Sequence, residues 1–176
     1  DLITTISNGR VGAYIQAYLF TADGLREVNG PAIGQGFRWR HQLAWGAFGA
    51  NGEMALVDDL TPHIGGSVEF YTFNGDALDI QSSLRGYTSH IIGSRNLDMA
   101  VAGDFNGDGQ PEIVMTTQDR RTIAGIQWNA VGAEEIWRLP LDGVIASNFS
   151  ALPLSDGRLA LAVGTEDGRL RVWLPQ

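Results

Sequence analysis

The chain has 176 residues, enough for one domain with a hydrophobic core, and its 44% hydrophobic content excludes a disordered segment. The formal net charge of −8 argues against nucleic acid as a partner, and no apolar run reaches the length of a membrane span. There is no cysteine, which excludes disulfides and thiol chemistry and leaves the redox compartment unread.

Short apolar runs broken by Gly, Asn and Asp predict strands throughout, with no long helical periodicity. The first residue is Asp1 rather than Met, which predicts a processed mature chain or a fragment. Strands are expected over 2–6 and 11–20 around a turn at Ser7-Asn8-Gly9, then over 25–28 after a turn at Ala22-Asp23-Gly24. Residues 47–57 align without gaps on 104–114, with Phe48 on Phe105 and Gly52 on Gly109. A looser third copy has Asn148-Phe149 followed by Asp156-Gly157 and an apolar run to Val163. Strands rich in large aromatics are expected after each copy, at 68–73, 123–128 and 170–173. A more polar fourth strand follows twice, at 77–81 and 134–139. This spacing predicts a repeat. Residues 1–40 carry the later strands of a first unit, 41–89 a second unit, 90–140 a third, and 141–176 an incomplete fourth. The outer side of the strand at 170–173 should be paired or covered, because a bare edge exposes backbone donors and acceptors. The segment 25–28, a neighbouring chain or another part of the same protein could do so.

Chemistry is concentrated in Asp104-Phe105-Asn106-Gly107-Asp108-Gly109-Gln110-Pro111-Glu112. Side-chain oxygens stand at Asp104, Asn106, Asp108 and Glu112, with the Gln110 carbonyl between the last two. A hard cation such as calcium takes about six to eight oxygens, and a tight loop with an oxygen at alternate positions wraps them around one point. Gly107 and Gly109 permit the left-handed turns that such wrapping needs. An EF-hand would place a bidentate Glu at the twelfth loop position, which counted from Asp104 is Met115. The run 113–115 also reads as a strand rather than a helix. The expected metal ligands are therefore Asp104, Asn106, Asp108, Gln110 and Glu112, with calcium as the cofactor; an acidic turn without metal is the alternative. The first copy has Ala47, Gly49, Asn51 and Ala55 at the four side-chain positions, and the third keeps only Asp156, so neither is expected to bind metal.

The stretch from Val101 to Val114 resembles the FG-GAP or VCBS-type repeat, with its integrin-alpha-like calcium-loop blades. The resemblance covers only this stretch closely. It implies an all-β fold, a β-propeller or partial propeller of four-stranded antiparallel blades, with the calcium loop between the first two strands of a blade. It also implies either a small ring closed by the N-terminal strands or, preferably, a piece of a larger propeller.

Other residues invite functional interpretation. His41 and His90 are expected just ahead of first strands, where they could face a central channel and bind a transition metal or simply be polar strand starts. His63 is expected in a loop. Asp58-Asp59 and Glu134-Glu135 are adjacent, and neighbours on a strand point to opposite faces, so they make poor catalytic dyads. Trp39 and Trp45 flank a loop and could stack on a sugar. The expected function is a non-catalytic calcium-binding module for binding or structural assembly, extracellular or periplasmic and secreted. Its expected partner is a protein, either another copy of the chain or the remainder of a larger propeller; a carbohydrate is a further candidate, without nucleic acid or membrane insertion. The alternative is the propeller portion of a secreted enzyme such as a polysaccharide lyase or a quinone-dependent dehydrogenase. An enzyme would need Arg38, Arg40, His41, His90 and Arg95 to converge on one pocket.

Overall fold

The computed structural model describes residues 1–175, and these contain strands, turns and no helix. The first sheet is β1 (Leu2–Asn8), β2 (Gly12–Thr21) and β3 (Gly24–Asn29), antiparallel in that order. Its first turn forms because the Asn8 side-chain oxygen accepts the N–H groups of Arg10 and Val11, each at 3.0 Å. The second sheet is β4 (Arg40–Gly46), β5 (Ala55–Leu60), β6 (Ser67–Phe73) and β7 (Leu78–Arg85). The third contains β8 (Tyr87–Thr88), β9 (Ala100–Gly103), β10 (Glu112–Thr117), β11 (Thr122–Asn129) and β12 (Gly132–Pro140). Here β9 and β8 share one edge of β10 end to end, so the sheet is four lanes wide. The fourth sheet is β13 (Ser150–Pro153), β14 (Leu159–Gly164) and β15 (Leu170–Trp173).

The sheets pack face to face in chain order. β5 and β10 read as unbroken apolar runs, Ala55-Leu56-Val57 and Ile113-Val114-Met115, because both of their faces are covered. Leu56 joins Ile15, Ala17, Val28, Tyr71 and Leu78 between the first and second sheets. Val57 points the other way and joins Val68, Phe70, Ile113, Met115, Ala124 and Ile126 between the second and third. Val114 and Ile123 meet Ile145, Phe149, Leu161 and Val163 between the third and fourth. Outer strands β7 and β12 each carry a register shift against their partner, at Phe70/Tyr71 and Gly125/Ile126. A bulge of this kind bends the strand and changes which face its side chains meet. Leu78 accordingly packs toward the first sheet and Leu84 toward the third.

The all-β class agrees with the sequence, and the strands form several antiparallel sheets of three to five strands, but closure into a ring is not present among the described residues. The segment 25–28 lies in β3 and pairs with β2 rather than with the last strand. β15 pairs only with β14, and its outer side has no strand beside it among the described residues. His41 lies inside β4 rather than ahead of it, and His90 lies on the connection that leads to β9. No helix is long and apolar enough to cross a membrane among the described residues.

Candidate functional site

The acidic loop joins β9 to β10 and is built from turns that its own side chains close. Asp104 accepts Gly107 N–H at 2.6 Å on one oxygen and Gly109 N–H at 2.9 Å on the other. Asn106 accepts Asp108 N–H at 2.8 Å, and Asp108 accepts Gln110 N–H at 2.8 Å. Gly107 and Gly109 take φ of 81° and 87°, the left-handed geometry expected of them. Glu112 is fully buried at the start of β10, where Phe105 N–H donates at 2.8 Å and the Trp137 indole N–H at 3.2 Å. Burial pushes the Glu112 carboxyl up from its ordinary value; Phe105 and Trp137 oppose this, and the nearby Asp104 charge adds to it. For Asp108, burial acts upward, but donors from Gln110, Gln127 and Asn106 outweigh it and hold the carboxyl below its ordinary value.

The donor set fits a hard cation in kind. Three carboxylates, an amide oxygen and a carbonyl lie within one loop, and no salt bridge among the described residues reaches Asp104, Asp108 or Glu112. Each carboxylate oxygen that accepts one N–H keeps a further lone pair. The side chains do not yet converge, since no group of three or more His, Asp or Glu is set to hold a metal among the described residues. Gln127 of β11 sits between them, donating to both Asp108 oxygens at 3.0 and 3.3 Å and to the Gln110 carbonyl at 3.4 Å. Gln127 and Trp137 were not legible as site residues, because each comes from a different strand of the same sheet. In the loop around Asn51, Glu53 accepts the Asn51 backbone and side-chain N–H groups, both at 2.8 Å.

A second cluster joins residues far apart in the chain. The rings of His63 and His90 lie 4.6 Å apart, those of His41 and His90 5.3 Å, and Trp39 stands against His90 at 5.1 Å. Asp98 faces Nε2 of His41 at 3.6 Å. Nδ1 of His41 and the Ser89 hydroxyl share a hydrogen bond at 2.8 Å, and Ser89 Oγ and Nδ1 of His90 share another at 3.1 Å. Nε2 of His90 and Nδ1 of His63 are buried with no hydrogen-bond partner among the described residues. Burial, followed by the His63 and His41 charges, pushes His90 down to about 4. Ser89 is fully buried, so the Ser89–His41–Asp98 chain does not present a nucleophile to solvent.

Arg40 belongs elsewhere. Its guanidinium lies between the first two sheets, donating to Asp58 at 2.8 Å, to Glu69 at 2.5 Å and to the Tyr71 hydroxyl. Burial acts against the guanidinium's charge, but Tyr71, Asp58 and Glu69 hold its pKa above the ordinary value. Burial pushes Asp58 up to about 8 against the pull of Arg40. Asp59 points to the opposite face and accepts Ser89 N–H at 2.7 Å, as alternation along a strand requires. Glu134 and Glu135 likewise have separate partners, Asn129 for the first and Tyr87 and Arg138 for the second. Arg38 and Arg95 are exposed. Of the five residues that an enzyme pocket would need, Arg38, Arg40 and His41 line one cleft with Trp39, and His41 meets His90, whereas Arg95 is not in that lining and the Arg40 guanidinium is taken up by Asp58 and Glu69; His63 joins the histidines. No protein-family model matches the chain, and no curated protein matches it.

Proposed function

We propose that this chain is a calcium-stapled stack of β-propeller blades, acting as a non-catalytic module for binding or structural assembly outside the cell or in the periplasm. The observation that carries the proposal is the Asp104–Glu112 loop, three carboxylates wound by their own turns at the start of a buried strand, with no salt bridge to any of them among the described residues. Calcium would be held by Asp104, Asn106, Asp108, Glu112 and the Gln110 carbonyl, with Gln127 turning aside. Its chemistry there is neutralisation and cross-linking, which would tie β9 to β10 and, through Trp137, to β12. Affinities of about 10⁻⁴–10⁻³ M are typical of extracellular modules, where such a site would fill. The engagement of the Arg40 guanidinium by Asp58 and Glu69 and the burial of Ser89 beside His41 support a module over an enzyme. Its partner would be a further propeller segment or another copy of the chain. Calorimetric titration of calcium into chelator-treated protein tests the proposal. One site is expected, lost in Asp108→Ala and kept in Asn51→Ala. No binding at millimolar calcium, or equal loss in both variants, would mean that the loop is only a turn.

A further inference from the structure

We propose that His63 and His90 bind a divalent transition-metal ion, through Nδ1 of the first ring and Nε2 of the second. His63 lies between β5 and β6 and His90 on the connection from β8 to β9, so packing alone brings them together. Both nitrogens are buried, and neither has a hydrogen-bond partner among the described residues. A buried polar atom without a partner is costly, and a bound ion or water is one of the few things that satisfy it. An imidazole is mostly unprotonated at neutral pH, and its lone pair suits zinc, nickel and copper. The spacing agrees. With metal–nitrogen bonds of about 2.0–2.1 Å, two rings sharing an ion at roughly 90–110° have centroids roughly 4.5–5.3 Å apart. His63 and His90 stand 4.6 Å apart with their planes at 87°, and rotation about the metal–nitrogen bonds allows that angle.

The surrounding groups suit such an ion. With Nε2 of His90 on the metal, Nδ1 must carry the proton, and Ser89 Oγ stands 3.1 Å away to accept it. Ser89 in turn lies 2.8 Å from Nδ1 of His41, whose Nε2 faces Asp98. A chain of this kind fixes the ring of a metal-bound histidine. The Asp98 charge acts on both His41 and His90 and favours a cation beside them. Trp39 packs on both candidate ligands, 5.7 Å from His63 and 5.1 Å from His90. With His41 it lines a cleft of about 440 Å³, shared with Thr5, Ser7, Arg38 and Gln42, which gives an approach from solvent. No group of three His, Asp or Glu is set to hold a metal among the described residues, so water would take the remaining positions. The inference rests neither on calcium nor on the blade reading.

Copper(II) is the probe, because divalent affinity for nitrogen ligands peaks there, with zinc weaker. Calorimetry on the full chain should show one saturable micromolar site. His63→Gln and His90→Gln should each weaken it about tenfold or more. His63 is only partly buried in its loop, so its variant keeps the test open should His90→Gln fail to fold. Electron paramagnetic resonance of the copper form should show coupling to two imidazole nitrogens, and to one in His63→Gln. Copper should also quench fluorescence, and Trp39→Phe should remove that quenching while calorimetric binding persists. Calcium titration of both histidine variants should match the unaltered chain, which separates this result from that of the acidic loop. Absence of copper binding at millimolar concentration would overturn the proposal. So would equal binding in the unaltered chain and both histidine variants, or a copper spectrum with oxygen ligands alone; either would place the ion on surface carboxylates.

Discussion

Replacing Gly125 with Ala should cost more than any other single methyl group added to the third sheet. Gly125 stands on β11 opposite Trp137, and a Cβ built on it would fall inside the indole. The indole would have to lift, and with it the N–H that Trp137 donates to the buried Glu112 carboxylate at 3.2 Å. Overpacking costs about 1–3 kcal/mol. A hydrogen bond to a charged group is worth about 1.5–3 kcal/mol. The two overlap, because one displacement causes both, so about 3 kcal/mol is expected. For a chain of this size that is a fall of about 6–12 °C in melting temperature. Trp137→Phe removes the donor together with part of the indole's packing, so a loss of about 2 kcal/mol or more is expected. The decisive assay is a double-mutant cycle by urea denaturation. In a Trp137→Ala background, Gly125→Ala should be neutral or slightly stabilising, since nothing is left to displace and the unfolded chain loses entropy. A cost below about 0.5 kcal/mol in the unaltered chain, or the same cost in both backgrounds, would refute this packing.

The histidine cluster should register acid. His90 is pushed down to about 4, so the fold favours its neutral form. That stabilisation is full above the unfolded value of about 6.5 and is lost as pH falls through 4, amounting to roughly 3 kcal/mol. His63, His41, Asp98 and, through Ser89, Asp59 surround it; burial raises Asp59 to about 7, which acts in the opposite direction. His90→Gln retains these neighbours, so its stability should fall less steeply than that of the unaltered chain between pH 6.5 and 4; coincident slopes would show that the imidazole titrates freely. Arg40→Met leaves Asp58 and Glu69 without their shared cation, a loss of about 3–5 kcal/mol. Denaturation midpoints should show that loss at pH 9 and a smaller one at pH 6, where Asp58, raised to about 8, holds a proton. An equal loss at both values would remove Asp58 from the network.

The strand content was legible because turns such as Ser7-Asn8-Gly9 and the glycines of the three copies mark strand ends locally. The partner of 25–28 was not legible: Leu25 and Val28 lie three apart and mark no single strand face, so nothing in the segment chooses between β2, two residues away in the chain, and a distant edge. The loop from Asp104 to Glu112 was readable because all of its oxygens lie within one turn. Gln127 and Trp137 were hidden because antiparallel pairing, not sequence distance, carries them to Asp108 and Glu112. The same holds for His41, His63 and His90: no local spacing links them, and only packing of the second sheet against the connection to β9 brings their rings together. Arg40 looked like a candidate for a pocket because charge predicts exposure, yet Asp58 and Glu69 from two further strands allow it to be buried.

Amide hydrogen exchange in calcium and in chelator tests the calcium staple most directly. Free calcium at a hundred times its dissociation constant should stabilise the site by about 2.7 kcal/mol. Protection should rise about a hundredfold at Gly107, Gly109, Gln110 and the first residues of β10, and should stay unchanged at the Glu53-closed loop around Asn51 and in the first sheet. Exchange that is identical in calcium and chelator at Gly107 and Gly109, or protection that rises equally around Asn51, would contradict calcium at Asp104–Glu112.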